Sequence, residues 1–391
     1  LWLANGLIFY VLLFTTGQWR RIVPQSWDVV PHALSTMVQY ASLDFPTNDG
    51  FVSYNGLQLT AYFLTVFIFA PLAFLTGLLQ APAIAARFGF GTGPANRQVA
   101  RSLHFLVLLW MVFFIAVHTV MVFSTGLIGN LNHIVFGTDT DSYWALAIYL
   151  LAMGAIATLW LLASPFTLRH PRAVQRIGRR CVGWIKALME WFHPDATYSA
   201  KDVSPYFWAN GTLPTSPDYR ALAAKNWDGY RLKVGGLVEH PTEFSYADLL
   251  AMDKHEQTTA HYCIQGWSGI ATWGGVQMST LLDIVRPVPS ARWVVFWSMA
   301  DGSEPGTGRY YDCHKIEHMH HPLTLLAYEM NGAPLTEIHG APLRLRNEVE
   351  LGFKQVKWVE SIEFVDSFAQ IGNGQGGYNE DHEFFGYRMP I

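Results

Sequence analysis

Two histidines, His104 and His118, stand fourteen residues apart in the apolar run RSLHFLVLLWMVFFIAVH, residues 101–118. Ionisable side chains inside a segment apolar enough to enter a bilayer are costly there and mark function. On an α-helix fourteen residues rise about 21 Å and fall only about 40° short of four full turns. The two imidazoles therefore share a face, one near each edge of a hydrocarbon core about 30 Å thick. That separation suits two ligands stacked across a membrane, not one metal site. Inward side chains build cofactor sites in helix bundles, and imidazole is a standard axial ligand for haem iron. The spacing thus points to two b-type haems, the alternative being two satisfied polar groups between helices.

A second constellation lies in the other half of the chain. Cys263 stands in AHYCIQGWSGIATWGGVQMSTLLDIV, a Trp- and Gly-rich stretch after an expected strand. A lone cysteine is commonly a small buried hydrophobe. Further on, LLAYEMNGAPLTEIHGAPLRLRNEVELGFKQVKWVESIEF supplies Arg344, Lys354 and Lys357. These cations suit a phosphate, arginine as a bidentate fork and lysine as a point charge. The residues alone support an anion-binding β domain. The His-rich insert CHKIEHMHH reads as a solvated loop, with substrate gating as the alternative.

The elements that must position these groups divide the chain. It has 391 residues, 51% hydrophobic and only 14% charged, low for a soluble protein. Residues 1–195 carry 11 Lys/Arg against 7 Asp/Glu, and residues 196–391 carry 15 against 23. No basic patch or repeat points to nucleic acid. Cys181, Cys263 and Cys313 are too few and too widely spaced for a disulfide framework or a zinc site. Four apolar segments are expected as membrane spans: LWLANGLIFYVLLFTTG as the tail of a longer helix, about 57–80 kinked at Pro71, about 102–125, and about 143–166. RHPRAVQRIGRRCVGWIKALMEWF then reads as an amphipathic helix lying in the interface. The expected layout is an α-helical transmembrane bundle over 1–168, an interfacial helix and linker over 169–203, and a mixed α+β, strand-rich domain over 204–391.

The first half resembles the membrane cytochrome b subunits of formate dehydrogenases, nickel–iron hydrogenases and thiosulfate reductases. The likeness runs to about residue 137: a span followed by GQWRRIVP, a kinked span, then R-x-x-H with a second histidine fourteen on. It implies that His104 and His118 each bind one haem, and that quinone is exchanged near the His118 haem, beside GLIGNLNHIVFG. His133 there reads equally as an ordinary loop residue. His32, His133 and His170 fall outside bilayer depth, so the second axial ligands are expected on a segment preceding Leu1.

The second half resembles the sulfite oxidase family of molybdenum–pterin enzymes, which includes a methionine sulfoxide reductase branch. The likeness covers about 204–366. Cys263, Trp267 and Ser268 match the C-x-x-x-W-S motif of that branch, whose cysteine binds molybdenum. LLAYEMNG and HGAPLR followed by GFKQVKW are similar to the family's strongest block. The resemblance implies that His339, Arg344, Gln355, Val356 and Lys357 hold the pterin and its phosphate, with Ser298, Phe207 and Trp208 as further contacts. The family's active-site tyrosine falls at Tyr310, or else Tyr311. Two departures count. Ile264, Gln265 and Gly266 stand where sulfite oxidases place oxyanion-binding arginines, which speaks against sulfite, and His339 stands where the reductases have Asn.

Together these readings give a quinone-linked molybdenum oxidoreductase of the bacterial inner membrane, multi-pass, with a molybdenum–molybdopterin, two haem b groups and a small-molecule substrate. The alternatives are a quinol-driven S-oxide or N-oxide reductase, or a non-catalytic electron carrier. The bilayer and quinone are the expected partners, and a homo-oligomer is compatible with the sequence. Arg87, Arg97, Arg101, Arg169, Arg172, Arg176, Arg179 and Arg180 outnumber Arg20 and Arg21, which sets the molybdenum domain on the cytoplasmic face by the positive-inside rule. The usual orientation of the cytochrome family points to the periplasmic one.

Overall fold

A computed structural model describes residues 2–45, 53–88, 97–192, 198–302, 306 and 308–382. The chain forms two compact units, Leu1–Leu78 with Val99–Arg169, and Leu79–Gln98 with His170–Ile391.

In the helical unit, three of the described helices are long and apolar enough to cross a membrane: Gly56–Gln80, Arg97–Ser124 and Tyr143–Arg169. The first expected span is a shorter helix, Trp2–Thr15. The Gly56–Gln80 helix starts at a capping box, in which Asn55 Oδ1 accepts from Gln58 N at 2.9 Å and Gln58 Oε1 from Asn55 N at 3.0 Å. Pro71 cannot donate to its own helix, and the turn just before it, Leu64–Phe69, widens to π geometry. The next helix packs alongside: Trp110 stacks on Phe69 at 4.5 Å and donates Nε1–H to Thr65 Oγ1 at 3.0 Å. Apolar side chains such as Leu151, Trp160 and Leu161 face outward on Tyr143–Arg169, as a lipid-facing surface requires. His133 lies on a helix, Leu127–Phe136, rather than in the expected loop.

The helix Pro171–Phe192 repeats apolar residues at helical spacing, Val174, Ile177, Cys181, Ile185 and Leu188, against arginines. Beyond it the described residues form ten strands: β1 Arg231–Gly236, β2 Thr242–Ser245, β3 His255–Tyr262, β4 Ser268–Gln277, β5 Trp293–Asp301, β6 Arg309–Lys315, β7 Thr324–Met330, β8 Ala333–Pro334, β9 Arg344–Asn347 and β10 Val359–Val365. One sheet runs β2-β1-β10-β5-β6, and the other runs β3-β4-β7-β8 with β9 also on β7. Only the β1–β10 pair is parallel among the described ladders. Leu232, Val294, Phe296 and Ile362 from the first sheet pack with Val276, Leu326 and Leu345 from the second in one core.

The insert CHKIEHMHH is not a solvated loop. Its first residues complete β6, Ile316–Met319 is a short helix, and Cys313, His314 and Met319 are buried. His314 is held inside because its ring nitrogens bond Lys354 O at 2.8 Å and Asn347 Nδ2 at 2.9 Å.

Candidate active site

The cysteine is aimed by a tight connection. β3 ends at Tyr262 and β4 begins at Ser268. Between them Cys263 N donates to Trp267 O at 2.9 Å and Gly266 N to Cys263 O at 3.0 Å. Gly266 takes φ +86°, a left-handed conformation that a side chain resists. The loop turns the Cys263 thiol into a cavity of about 350 Å³. Gly352 is needed at the same wall, since a Cβ there would run into the His261 ring.

That cavity gathers Phe207, Trp208, Cys263, Ser298, Tyr310, His339, Arg344, Gln355 and Lys357 from segments far apart in sequence. Val356 is the exception among the candidates of this unit: its side chain belongs to the core. Tyr310 lines the cavity, whereas Tyr311 turns its hydroxyl to Asp381. Lys354 is also absent from the wall, against expectation. Its ammonium is fully buried between Asp312 and Glu380, at 2.7 Å from the latter, so its charge is already answered.

The charges that remain are unanswered. Arg344 is buried, lies over the Trp273 ring at 4.7 Å and donates Nη1–H to His339 O at 2.9 Å. Lys357 Nζ donates to Ile338 O at 2.9 Å and to Asn210 O. Among the described residues no carboxylate pairs with either cation. Burial, and then Arg344, push the Lys357 ammonium down to about 7. Burial lowers His339 too, with Arg344 and Lys357 acting in the same direction against a bond to Phe207 O. The neutral ring accepts at Nδ1 from Thr336 Oγ1 at 2.7 Å and donates Nε2–H to Phe207 O at 3.2 Å. Burial also pushes the Cys263 thiol up, while the Gln265 N–H and the Asn210 amide pull it back.

Three buried polar atoms on lining residues have no partner: Arg344 Nε, Trp267 Nε1 and Gln355 Oε1. Buried polar groups are rarely left so unless something else satisfies them. A thiol, two cations lacking counter-charge, two partnerless donors and one partnerless acceptor fit a molybdenum–pterin with its phosphate. A soft thiolate suits the metal, and the cations suit the anion.

Sequence reasoning missed Asn210 and His261. Asn210 Nδ2 donates to Cys263 Sγ at 2.9 Å. His261 lines the cavity and accepts at Nδ1 from Arg346 Nη1 at 2.8 Å. Residues 208–211, WANG, offered only a turn signal.

In the helical unit, His104 and His118 ride one unbroken helix. His104 Nδ1 lies 2.8 Å from Thr76 Oγ1, whose own hydrogen goes to Leu72 O at 2.6 Å. The hydroxyl must therefore accept from the ring, which leaves Nε2 as the nitrogen with a lone pair. His118 stacks on Phe114 at 5.5 Å. Among the described residues no three His, Cys, Asp or Glu side chains converge as a metal site.

Residues 219–370 match the oxidoreductase molybdopterin-binding domain, and residues 1–137 match prokaryotic cytochrome b561. The chain joins these two domains. It is a membrane protein with a strand-rich molybdopterin-type domain after its membrane helices. Its relatives include the protein-methionine-sulfoxide reductase catalytic subunit MsrP of Xanthomonas axonopodis pv. citri, 33% identical over 44% of this chain and 56% of that protein. The same subunit of Burkholderia mallei is 31% identical over 44% of this chain and 55% of that protein. YedZ1 of Azospira oryzae is 31% identical over 40% of this chain and 54% of that protein. The chain thus spans little more than half the length of these relatives.

Proposed function

We propose that this chain is a membrane-bound molybdenum oxidoreductase, exchanging electrons between a small-molecule substrate and the quinone pool through two b-type haems. One observation carries the reading. A single cavity collects the Cys263 thiol, the Arg344 and Lys357 cations without carboxylates, and partnerless polar atoms on Arg344, Trp267 and Gln355.

A molybdenum–pterin bound there supplies two-electron oxygen-atom transfer. The chain's own residues do the rest. Cys263 offers its sulfur to the metal, and the Asn210 amide and Gln265 N–H steady that sulfur by donating to it. Arg344 and Lys357 hold the phosphate. Neutral His339 ties the Phe207 main chain to the opposite wall. Tyr310 brings a hydroxyl to the substrate side. In the membrane, His104 and His118 each present a ring nitrogen to a haem, with Thr76 fixing the tautomer of the first. Electrons would pass between the molybdenum centre and quinone by way of the two haems, in either direction.

The wall next to the thiol comes from Ile264 and Gln265, which bring no cation. That favours an uncharged S-oxide or N-oxide over sulfite, and the sulfoxide reductase names of the relatives agree.

The test is metal analysis joined to substitution. The intact protein should hold about one molybdenum per chain. Cys263→Ser should abolish turnover and leave the haem spectrum unchanged, whereas Cys181→Ser and Cys313→Ser should keep their molybdenum. Haem without molybdenum would favour a simple electron carrier. A screen of sulfite, sulfoxides and N-oxides, followed by haem oxidation and reduction, identifies the substrate.

A further inference from the structure

Beyond the Cys263 loop and the cations, the cavity has a wall from the C-terminal helix Tyr378–His382. Asn379 lines it and donates Nδ2–H to Tyr310 Oη at 3.1 Å. Tyr310 Oη in turn donates to Phe353 O at 2.6 Å. A phenol has one hydrogen. With that hydrogen directed at Phe353, the oxygen can only accept from Asn379, so the amide must present its NH2 group.

We propose that Asn379 is a positioning residue that places the Tyr310 hydroxyl for substrate in this cavity. The C-terminal helix is then part of the reaction site. The inference rests on the functional reading above and adds a residue to it.

The way the helix is fastened supports a positioning role. Three segments bring Tyr310, Phe353 and Asn379 to the cavity. One or two residues further on, the same segments carry Asp312, Lys354 and Glu380. These three meet in a fully buried ion cluster, Lys354 Nζ bonding Asp312 and Glu380 Oε1, the latter at 2.7 Å. Lys354 Nζ also donates to Cys313 O at 3.3 Å and Gly376 O at 3.4 Å. Cys313 N donates to Gly376 O at 3.2 Å, and Asp312 bridges to Gly377. A buried ion pair is weak evidence of stability, and its best-attested use is to fix register. Here the cluster locks the three cavity residues into one register. A helix needed only to cover an edge could be held by apolar packing, which Tyr378 already provides.

The experiment is a double-mutant cycle in the full-length, cofactor-loaded protein, with dimethyl sulfoxide and methionine sulfoxide as substrates and a reduced dye as donor. Asn379→Leu should lower kcat/KM about tenfold, as the loss of one hydrogen bond that fixes a cavity-lining side chain would. It should cost nothing further in a Tyr310→Phe background, because its effect passes through the hydroxyl. Asn379→Asp keeps the shape, loses the donor, and should behave like Asn379→Leu. Independently of turnover, the fluorine resonance of 3-fluorotyrosine at position 310 should move in both Asn379 variants, with molybdenum and haem contents unchanged. Additive losses in the cycle, or an unmoved resonance, would overturn the role of Asn379. Turnover that survived Cys263→Ser would instead sink the functional reading beneath it.

Discussion

Lys357 offers a quantitative test of the claim that the cavity awaits an anion. In the protein without its cofactor, burial and Arg344 hold this ammonium at about 7, against an ordinary value of 10.5. The folded chain therefore binds fewer protons than the unfolded chain between these two values. Stability must rise with pH across that window, because stability rises wherever the unfolded state binds more protons. Every tenfold weakening of proton binding corresponds to about 1.4 kcal/mol, so the charge costs about 4 kcal/mol at pH 7 and about 2 kcal/mol at pH 9. Lys357→Met removes the cost at both. Hydrogen exchange of β9 and β10 amides in the cofactor-free, full-length protein reads the local free energy of this unit without assuming that the whole chain unfolds at once. The variant should be better protected than wild type at pH 7, and the ratio of protection should shrink about fiftyfold by pH 9, the equivalent of a little over ~2 kcal/mol. Comparing variant with wild type at each pH cancels the intrinsic pH dependence of exchange. A ratio constant from pH 7 to pH 9 would refute the argument, since it would mean that Lys357 titrates alike in both states. With the cofactor bound, its phosphate should restore the charge to Lys357 and flatten the same comparison.

His104→Ala and His118→Ala should each remove about one b-type haem from the full-length protein and leave the other, as pyridine haemochrome analysis would show; full haem content in both variants would end the ligand assignment. Thr76→Val should loosen the His104 haem about tenfold to a hundredfold, the usual cost of losing the partner of a ligating histidine. The His118 haem should be untouched, and the helix itself barely disturbed, because the lost hydroxyl bonds only add to main-chain bonds already made. Equal retention of both haems by Thr76→Val in a haem-transfer competition would count against the tautomer drawn from the Thr76–His104 bond.

Much of this arrangement was legible in the sequence, for identifiable reasons. The histidine spacing needs only the pitch of a helix, and the structure runs one helix from Arg97 to Ser124 through both residues. Cys263, Arg344 and Lys357 were legible from their motifs, and the cavity brings them together. Lys354 was misread because its spacing from Arg344 and Lys357 says nothing of carboxylates 42 and 26 residues away in sequence. The His-rich insert misled for a similar reason. A histidine looks solvated until Lys354 O and the Asn347 amide are found waiting for it inside. Asn210 and Asn379 are single polar residues whose meaning comes from one long-range contact each, to Cys263 and Tyr310. No local pattern encodes such contacts.

The pair Arg344 and Arg346 shows how structure separates what sequence leaves alike. Two residues apart on β9, they project to the same face of the sheet. Both are buried, and both guanidinium groups lie over Trp273, at 4.7 and 4.3 Å from the ring centre. Arg346 is answered by Glu348 through a fork of bonds at 2.9 and 2.7 Å, and that carboxylate is further held by Thr259 and Gln257. Arg344 has no such carboxylate, and its Nε has no partner. A buried cation without a counter-charge is expensive, and a second carboxylate would have been the cheap remedy. Arg346 has that remedy in Glu348 and Arg344 does not, the arrangement that the proposed anionic ligand would call for. The same reasoning covers Lys357 against Lys354. In each pair one cation is closed by protein carboxylate, and the other lines the cavity without one, as the proposed anionic ligand would require.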